Sequence, residues 1–403
     1  MMGMSIWSVL LALAAVVWLL RHRAVSQGYR KNTALSERTF VGPPPETPLV
    51  SVLIAAKDEE TNIATAVRTM LDQDYSNFEL IVINDRSEDR TAEILEQIRA
   101  ECGGDKLKVI HIKELRQGWF GKNNAMREGA AMAAGEWLCF GDADCRQKSR
   151  KTLSTAVRFA LAEKIDFLSL LPELETHNTW ERIIQPACGA IMIYWFQPEK
   201  VNDPKRPTAY ANGAFMLMRR SCYEAIGGHE AVRTEVNEDM CMARLTKAKG
   251  QRLFVIQNDG LYSVRMYTTF RQIWRGWSRI FFGCFGTFGR LCLTAIMLAL
   301  MNVFPYLSLL VAALVLLTRG WSQAGAGWQA VGLCAALVVV AQQTVIARFY
   351  RLCKLDWRLA PTFIVGVVIC IGMLFSAMRK LGGRTTTVWR GTTYRADSVV
   401  KPS

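Results

Sequence analysis

Apolar and polar positions divide the chain into a long mixed middle flanked by apolar runs. Residues 4–20, MSIWSVLLALAAVVWLL, carry no charge and are followed at once by RHR. That length is just enough for a helix to span a bilayer. No basic segment precedes the run and no small-residue cleavage pattern follows it, so the pattern predicts an uncleaved anchor rather than a signal peptide. Three further apolar runs lie at residues 291–317, 328–347 and 360–378, and nothing comparable occurs between Arg21 and Arg290.

The middle alternates between two periods. LVSVLIAA from Leu49 is a continuous, β-branched apolar run, and TNIATAVRTMLDQ from Thr61 spaces Ile63, Val67, Met70 and Leu71 as one helical face. FELIVIND from Phe78, RTAEILEQIRA, and LKVIHI from Leu107 repeat strand, helix, strand. A Gly-rich loop containing Gly121 and Lys122, a helix through NNAMREGAAMAA and a strand ending GDAD complete the series. Such alternation predicts an α/β domain with a mostly parallel sheet flanked by helices. In these sheets ligands bind beyond the carboxyl ends of the strands. There the chain places KDEE, NDRS and GDAD, so three strand ends should bring carboxylates to one rim.

Composition adds a location. The chain has 403 residues, is 51% hydrophobic and carries a net charge of +14. Arg21, Arg23, Arg30 and Lys31 follow the first run, which by the positive-inside rule puts the central domain in the cytoplasm. Part of the positive charge suits anionic headgroups and part an anionic substrate. No nucleic-acid-binding motif is present, so nucleic acid is not expected as a partner. Eleven cysteines without a CxxC pair, several inside apolar runs such as Cys334 and Cys370, predict packed thiols in a reducing compartment. If all four apolar runs cross, the tail with Arg379, Lys380, Arg384, Arg390 and Arg395 lies on the side opposite the cytoplasm, against the charge rule. The overlong 291–317 run, with Asn302 and Pro305, is then the segment expected to be re-entrant or interfacial.

Asp142 and Asp144, spaced i, i+2 at a strand end, can offer oxygens to one hard cation, Mg²⁺ or Mn²⁺, whose other ligands would be water and phosphate. The same pair could simply build a turn, since Asp bonds its own backbone readily. A phosphotransferase using the first Asp as nucleophile also fits the spacing, but the lysine and second acidic cluster it needs do not follow in order. A second acidic pair, Glu238 and Asp239, opens a predicted helix in VNEDMCMARL. There the choice is between a helix cap stabilised by the macrodipole and a base that takes a proton from an acceptor hydroxyl.

Taken together, these stretches resemble the family 2 glycosyltransferases, inverting nucleotide-sugar enzymes with a GT-A fold. The resemblance covers residues 48–279, with a shorter echo in the tail. It is carried by SVLIAAKDEETNI, in which Ala55 and Lys57 depart from the usual types, by IVINDRSEDRT, GWFGKNNAMREG and CFGDADC, and by ANGAFMLMRRSCYEAIGGHEAVRTEVNEDMCMARL. GWFGK, GGHEAV, VRMYTTFRQIWRGWSR and VWRGTTY are most similar to hopene-associated and carotenoid-acid glycosyltransferases, membrane proteins of bacteria. Processive polysaccharide synthases carry Gln-x-x-Arg-Trp; here Gln272, Ile273, Trp274 and Arg275 are followed by Gly276 and only then by Trp277.

The resemblance implies Asp239, beside Glu238, as catalytic base, and Asp144 with Asp142 as holders of a divalent cation. It further implies Ala56, Asp58, Glu59, Asp85, Lys122, Asp142, Asn212 and Gly213 as contacts to a nucleotide-sugar donor, a UDP-sugar as first expectation. Lys122 reads equally as an ordinary surface lysine, and the alternative for Asp85 is an Asx-turn after the strand. His229, Arg275 and Trp277 are implied on the acceptor or diphosphate side, although His229 could merely cap a turn. Interfacial anchoring explains the Arg and Trp of residues 271–282 as well. The expected organisation is an anchor at 1–24, a cytoplasmic GT-A domain at 25–265, interfacial helices at 266–290, transmembrane helices at 291–380 and a basic tail at 381–403. The expected function is sugar transfer to a lipid acceptor at the bacterial inner membrane, with a polysaccharide synthase or an inactive membrane scaffold as alternatives.

Overall fold

A computed structural model describes residues 2–31, 34–40, 46–102, 106–381, 387–389 and 392–394. Elements are numbered in chain order. The strands are β1 (Ala34–Leu35), β2 (Val50–Ala56), β3 (Phe78–Asp85), β4 (Leu107–Ile112), β5 (Trp137–Asp142), β6 (Cys145–Gln147), β7 (Phe167–Leu171), β8 (Glu173–Leu174), β9 (Phe215–Arg219), β10 (Leu253–Asn258), β11 (Tyr262–Val264), β12 (Thr387–Trp389) and β13 (Thr392–Tyr394). The first ten helices are α1 (Met2–Lys31), α2 (Ile63–Leu71), α3 (Thr91–Glu101), α4 (Gly121–Met132), α5 (Thr152–Ala162), α6 (Thr179–Trp195), α7 (Pro198–Val201), α8 (Arg220–Ala225), α9 (Gly228–Ala231) and α10 (Glu238–Ala248). The last five are α11 (Phe270–Phe285), α12 (Phe288–Leu298), α13 (Phe304–Arg319), α14 (Gly325–Leu352) and α15 (Phe363–Leu381). The chain divides into two compact units: residues 33–175, 192–266 and 385–403 form a sheet unit, and residues 1–32, 176–191 and 267–384 form a helical unit.

In the sheet unit, eight strands run in the order β1-β10-β7-β9-β5-β2-β3-β4. All neighbours are parallel except the two pairs that β9 makes with β5 and β7. The mostly parallel α/β expectation is met, and strand alternation explains the layers. Val50, Val52 and Ile54 of β2 and Leu80 and Val82 of β3 face one core with α2, α3 and α5. Leu53, Ile81 and Ile83 face the other, with Ala125 and Met126 of α4 and Met242 of α10. Burial on both faces is why these strands read as unbroken apolar runs. Because β2, β3 and β5 are parallel neighbours, with Ala55 opposite Asp142 and Ala56 opposite Asn84, their carboxyl ends share one edge. A small sheet, β6-β11-β8, lies just beyond β5 in the chain.

The helical unit contains four helical stretches long and apolar enough to cross a membrane, Ile6–Gln27, Phe288–Arg319, Gly325–Leu352 and Trp357–Leu381, among the described residues. The Phe288–Arg319 stretch is one helical path in which residues 299–303 adopt a π-helical segment between α12 and α13. Pro305 has no N–H, so the Met301 carbonyl four residues earlier loses its usual donor; Trp18 Nε1 on α1 donates to that carbonyl at 2.8 Å. Trp7 Nε1 of α1 donates likewise to Ser308 Oγ at 2.9 Å. The cysteines are all free. Cys370 is buried as expected, whereas Cys334 is exposed on the outside of α14; apolar surroundings there do not require protein contact. Arg379 and Lys380 close α15, while Arg384, Arg390 and Arg395 of the basic tail lie outside the described residues.

Candidate active site

The GDAD stretch folds as its pattern implies. β5 ends at Asp142, Ala143 and Asp144 turn, and β6 leaves from Cys145, whose thiol donates to Ala214 O at 3.3 Å. The turn is therefore pinned to the 212–214 loop. Within that loop Asn212 Oδ1 accepts from Ala214 N at 3.0 Å and Asn212 N donates to Ser169 Oγ at 2.8 Å.

Lys122 links this turn to the second acidic pair. Its Nζ lies 2.6 Å from Asp142 Oδ1 and 2.7 Å from Glu238 Oε1. Burial works against the ammonium, but the two carboxylates overcome it and hold the charge well above the usual lysine range. Gly121 and Lys122 are the first residues of α4, not part of the preceding loop. The helix starts early because Phe120 is extended and its N–H is taken by Arg233 O at 2.8 Å. Asn123 Nδ2 then donates to Val232 O at 2.7 Å and Glu235 O at 2.9 Å. This fully buried Asn fixes the start of α4 against the segment leading into α10, and so fixes Lys122 against Glu238. Sequence reasoning missed it; the hint was two poor helix formers, Asn123 and Asn124, beside a glycine at a helix start.

Asp239 sits one residue further along α10. Its Oδ2 accepts from Gly213 N at 3.0 Å and its Oδ1 from Met240 N at 2.7 Å. Burial, followed by the Glu238 charge, pushes its pKa up to about 7, against the opposing pull of Lys122 and the two N–H groups. A Cβ at position 213 would stand 3.1 Å from Lys122 Nζ, so the glycine there leaves the lysine tip uncrowded.

The other predicted residues separate into three sets. Asp58 and Glu59 are tied to the loop after β3: Asp58 Oδ1 accepts from Glu88 N at 2.8 Å and Glu59 N donates to Thr91 Oγ1 at 2.8 Å. Ala56 closes β2 with its side chain in the core, and Asp85 is buried with both oxygens gripped by Arg86 at 2.8 and 2.9 Å. His229 is buried, its ring 4.9 Å from that of Phe140. His229 N donates to the Tyr223 hydroxyl at 3.1 Å, and that hydroxyl and His229 Nδ1 share a further hydrogen bond at 2.9 Å. Burial, then Lys122, pushes that imidazole down to about 3, so it is neutral. Arg275 and Trp277 belong to the helical unit, on α11, where Arg275 is exposed and Trp277 buried. Their motif is broken for a packing reason: a Cβ at Gly276 would fall 2.1 Å from Cζ of Tyr267. Gln272 is engaged as well, in a capping box with Thr269.

Asp142 and Asp144 fit a divalent ion as two hard oxygen donors only. Among the described residues no group of three or more His, Cys, Asp or Glu is disposed to hold a metal. An ion at this turn would take its remaining ligands from phosphate and water, the usual habit of Mg²⁺ and of its oxygen-seeking neighbours.

Residues 51–227 match the model of glycosyl transferase family 2. Over 185 residues the chain is 31% identical to a beta-monoglucosyldiacylglycerol synthase of Trichormus variabilis, covering 45% of this chain and 38% of that protein. Over 237 residues it is 24% identical to a 4,4'-diaponeurosporenoate glycosyltransferase of Staphylococcus haemolyticus, covering 58% and 61% respectively. The chain therefore spans less than two thirds of either relative. Among solved structures, the mannosyltransferase PcManGT from Pyrobaculum calidifontis, in complex with GDP-Man and Mn2+, matches with a TM-score of 0.48 at 17% identity, over 82% of this chain and 97% of that one. S. aureus TarS 1-349 in complex with UDP-GlcNAc matches with a TM-score of 0.40 at 14% identity, over 88% and 98%.

Proposed function

We propose that this protein transfers a sugar from a nucleotide-sugar donor to a lipid acceptor at the bacterial inner membrane, with the sheet unit in the cytoplasm. The observation that carries the reading is the convergence of Asp142, Lys122, Glu238 and Asp239 at one strand-end rim of the sheet unit, whose residues 51–227 match glycosyl transferase family 2. Asp239, fixed by two backbone N–H groups and poised near neutral pH, takes the proton of the acceptor hydroxyl. The acceptor oxygen attacks the anomeric carbon from the face opposite the donor's glycosidic oxygen. That C–O bond breaks with its electron pair going to the diphosphate, and the sugar's configuration inverts. Asp142 and Asp144 would hold a divalent cation, Mg²⁺ or Mn²⁺, which when bound neutralises the leaving diphosphate. The similarity to a beta-monoglucosyldiacylglycerol synthase and to a 4,4'-diaponeurosporenoate glycosyltransferase supports a lipid acceptor. The assignment rests on the sheet unit alone, without Arg275 or Trp277.

Product length separates this reading from a polysaccharide synthase. The engagement of Gln272 in a helix cap and the seat that Gly276 provides for Tyr267 favour single transfer. The test is to incubate the purified full chain with membrane lipid extract, Mn²⁺ and a panel of nucleotide sugars, and to read the lipids by mass spectrometry. A single hexose or hexosamine adduct, absent with Asp239→Asn, is the expected result. A ladder of adducts points to a polymerase, and no adduct with any donor overturns the reading.

A further inference from the structure

We propose that Lys122 is a place-holder for the divalent cation, so that metal and nucleotide diphosphate bind together and neither binds well alone. The inference rests on the metal-assisted reading of Asp142 and Asp144 and goes beyond it by assigning the order of loading to one side chain.

The Lys122 ammonium lies 2.6 Å from Asp142 Oδ1, an oxygen a cation would need, and its second bond to Glu238 Oε1 anchors it there. The stem is aimed by the backbone: α4 begins at Gly121, held by the Phe120 and Asn123 bonds to the 232–235 segment. Gly213, lacking a Cβ, leaves room for the tip. A divalent ion approaching Asp142 therefore meets a positive charge at ion-pair distance in a half-buried site, where screening by water is weak.

A nucleotide diphosphate changes that balance. Its oxygens offer the ammonium a new charge-assisted partner, and the flexible four-carbon stem, with the Lys122 side chain a quarter exposed, can swing to them. Asp142 is then released to the metal while Glu238 keeps its place beside Asp239. Because coupling between two ligands is reciprocal, metal must tighten nucleotide by the factor by which nucleotide tightens metal.

The experiment is titration of Mn²⁺ against the purified full chain, read by the free-ion electron paramagnetic resonance signal, with and without UDP. For the wild type, binding without UDP is expected to be at least about tenfold weaker than with it, in line with a modest coupling free energy. Lys122→Ala should bind Mn²⁺ without UDP at least about tenfold more tightly than wild type, and its coupling to UDP should shrink accordingly. Lys122→Gln, which keeps length and hydrogen bonding without charge, should behave the same way, and Mn²⁺ alone should raise the melting temperature of either variant but not of wild type. Equal Mn²⁺ affinity of wild type and both variants without UDP overturns the place-holder. Failure of the wild type to bind Mn²⁺ even with UDP overturns the metal reading, and the place-holder with it.

Discussion

Two acidic rims stand at the same edge of the sheet, and they spend their carboxylates differently. At the ends of β2 and β3, Asp58 accepts from Glu88 N, and Asp89 Oδ2 accepts from Glu60 N at 2.9 Å while its Oδ1 takes the N–H and hydroxyl of Thr91 at 2.9 and 2.5 Å. The two loops are laced together, chiefly by side chains meeting backbone N–H groups. At β5 and α10 one ammonium serves two carboxylates, and a third, Asp239, is pushed toward neutrality. For Asp89, burial opposes the charge, but the bonds from Thr91 and Glu60 prevail and lower its pKa. Asp239 and Asp89 are therefore shifted in opposite directions. An acidic strand end is recognised as chemistry by what its oxygens are bonded to, not by how many there are.

The sharpest way to break this comparison is to remove one carboxylate oxygen from each rim. Asp239→Asn should lower sugar transfer about 10²- to 10⁴-fold, the usual worth of a positioned base, while equilibrium UDP binding stays within about twofold. Asp89→Asn should leave turnover per folded molecule near wild type. Radiolabelled lipid product and nucleotide titration on the same preparations check both; equal losses would erase the distinction.

Next in size is the effect of pH. With Asp239 poised at about 7, kcat/KM should rise about tenfold per pH unit below that value and level off above it, because the base works only when ionised. The sign for stability is the reverse. A folded pKa above the ordinary carboxylate value means that this group's contribution is full below that ordinary value and is lost as pH rises toward 7. Asp239→Asn should remove that component from a melting curve measured between pH 4 and 8.

Smaller effects test the laced rim. Asp89→Ala should cost about 0.5–2 kcal/mol of stability, the range for a lost cap, measured by denaturant unfolding, with Mn²⁺–UDP binding intact. Since the Asp89 pKa is lowered, its contribution is present above the ordinary carboxylate pKa and fades as pH falls through the lowered value. The smallest change should come from Gly213→Ala: the added Cβ crowds only the tip of Lys122, so the cost should be under about 1 kcal/mol, below the usual overpacking range, read as a slight fall in melting temperature.

Much of the sheet unit was legible because burial on both faces writes itself as continuous apolar runs, as in Val50–Ala56 and Phe78–Asp85. The shared rim followed from parallel order. The start of α4 was misplaced because the bonds that set it, from Phe120 and Asn123, reach more than a hundred residues ahead. The inclusion of residues 176–191 in the helical unit was hidden for a similar reason. Cys188 and Cys370, with Sγ atoms 3.4 Å apart, meet across 182 positions, and no local pattern records such a pairing. The neutral Tyr223–His229 pair was equally silent, since a histidine's burial is decided by its neighbours in space.

The Trp18 bond to Met301 also sets a clock. Its two ends are 283 residues apart, and at a synthesis rate of 5–20 residues per second the second end leaves the ribosome roughly 15–60 s after the first. Through that interval the opening helix is without the partner that its indole is destined to satisfy. The late-made segment around Pro305, in turn, arrives with a carbonyl lacking its usual donor and finds that donor already in place. The helical unit thus joins its first helix to a segment made much later, and a chain released before residue 301 would leave the Trp18 indole without its acceptor.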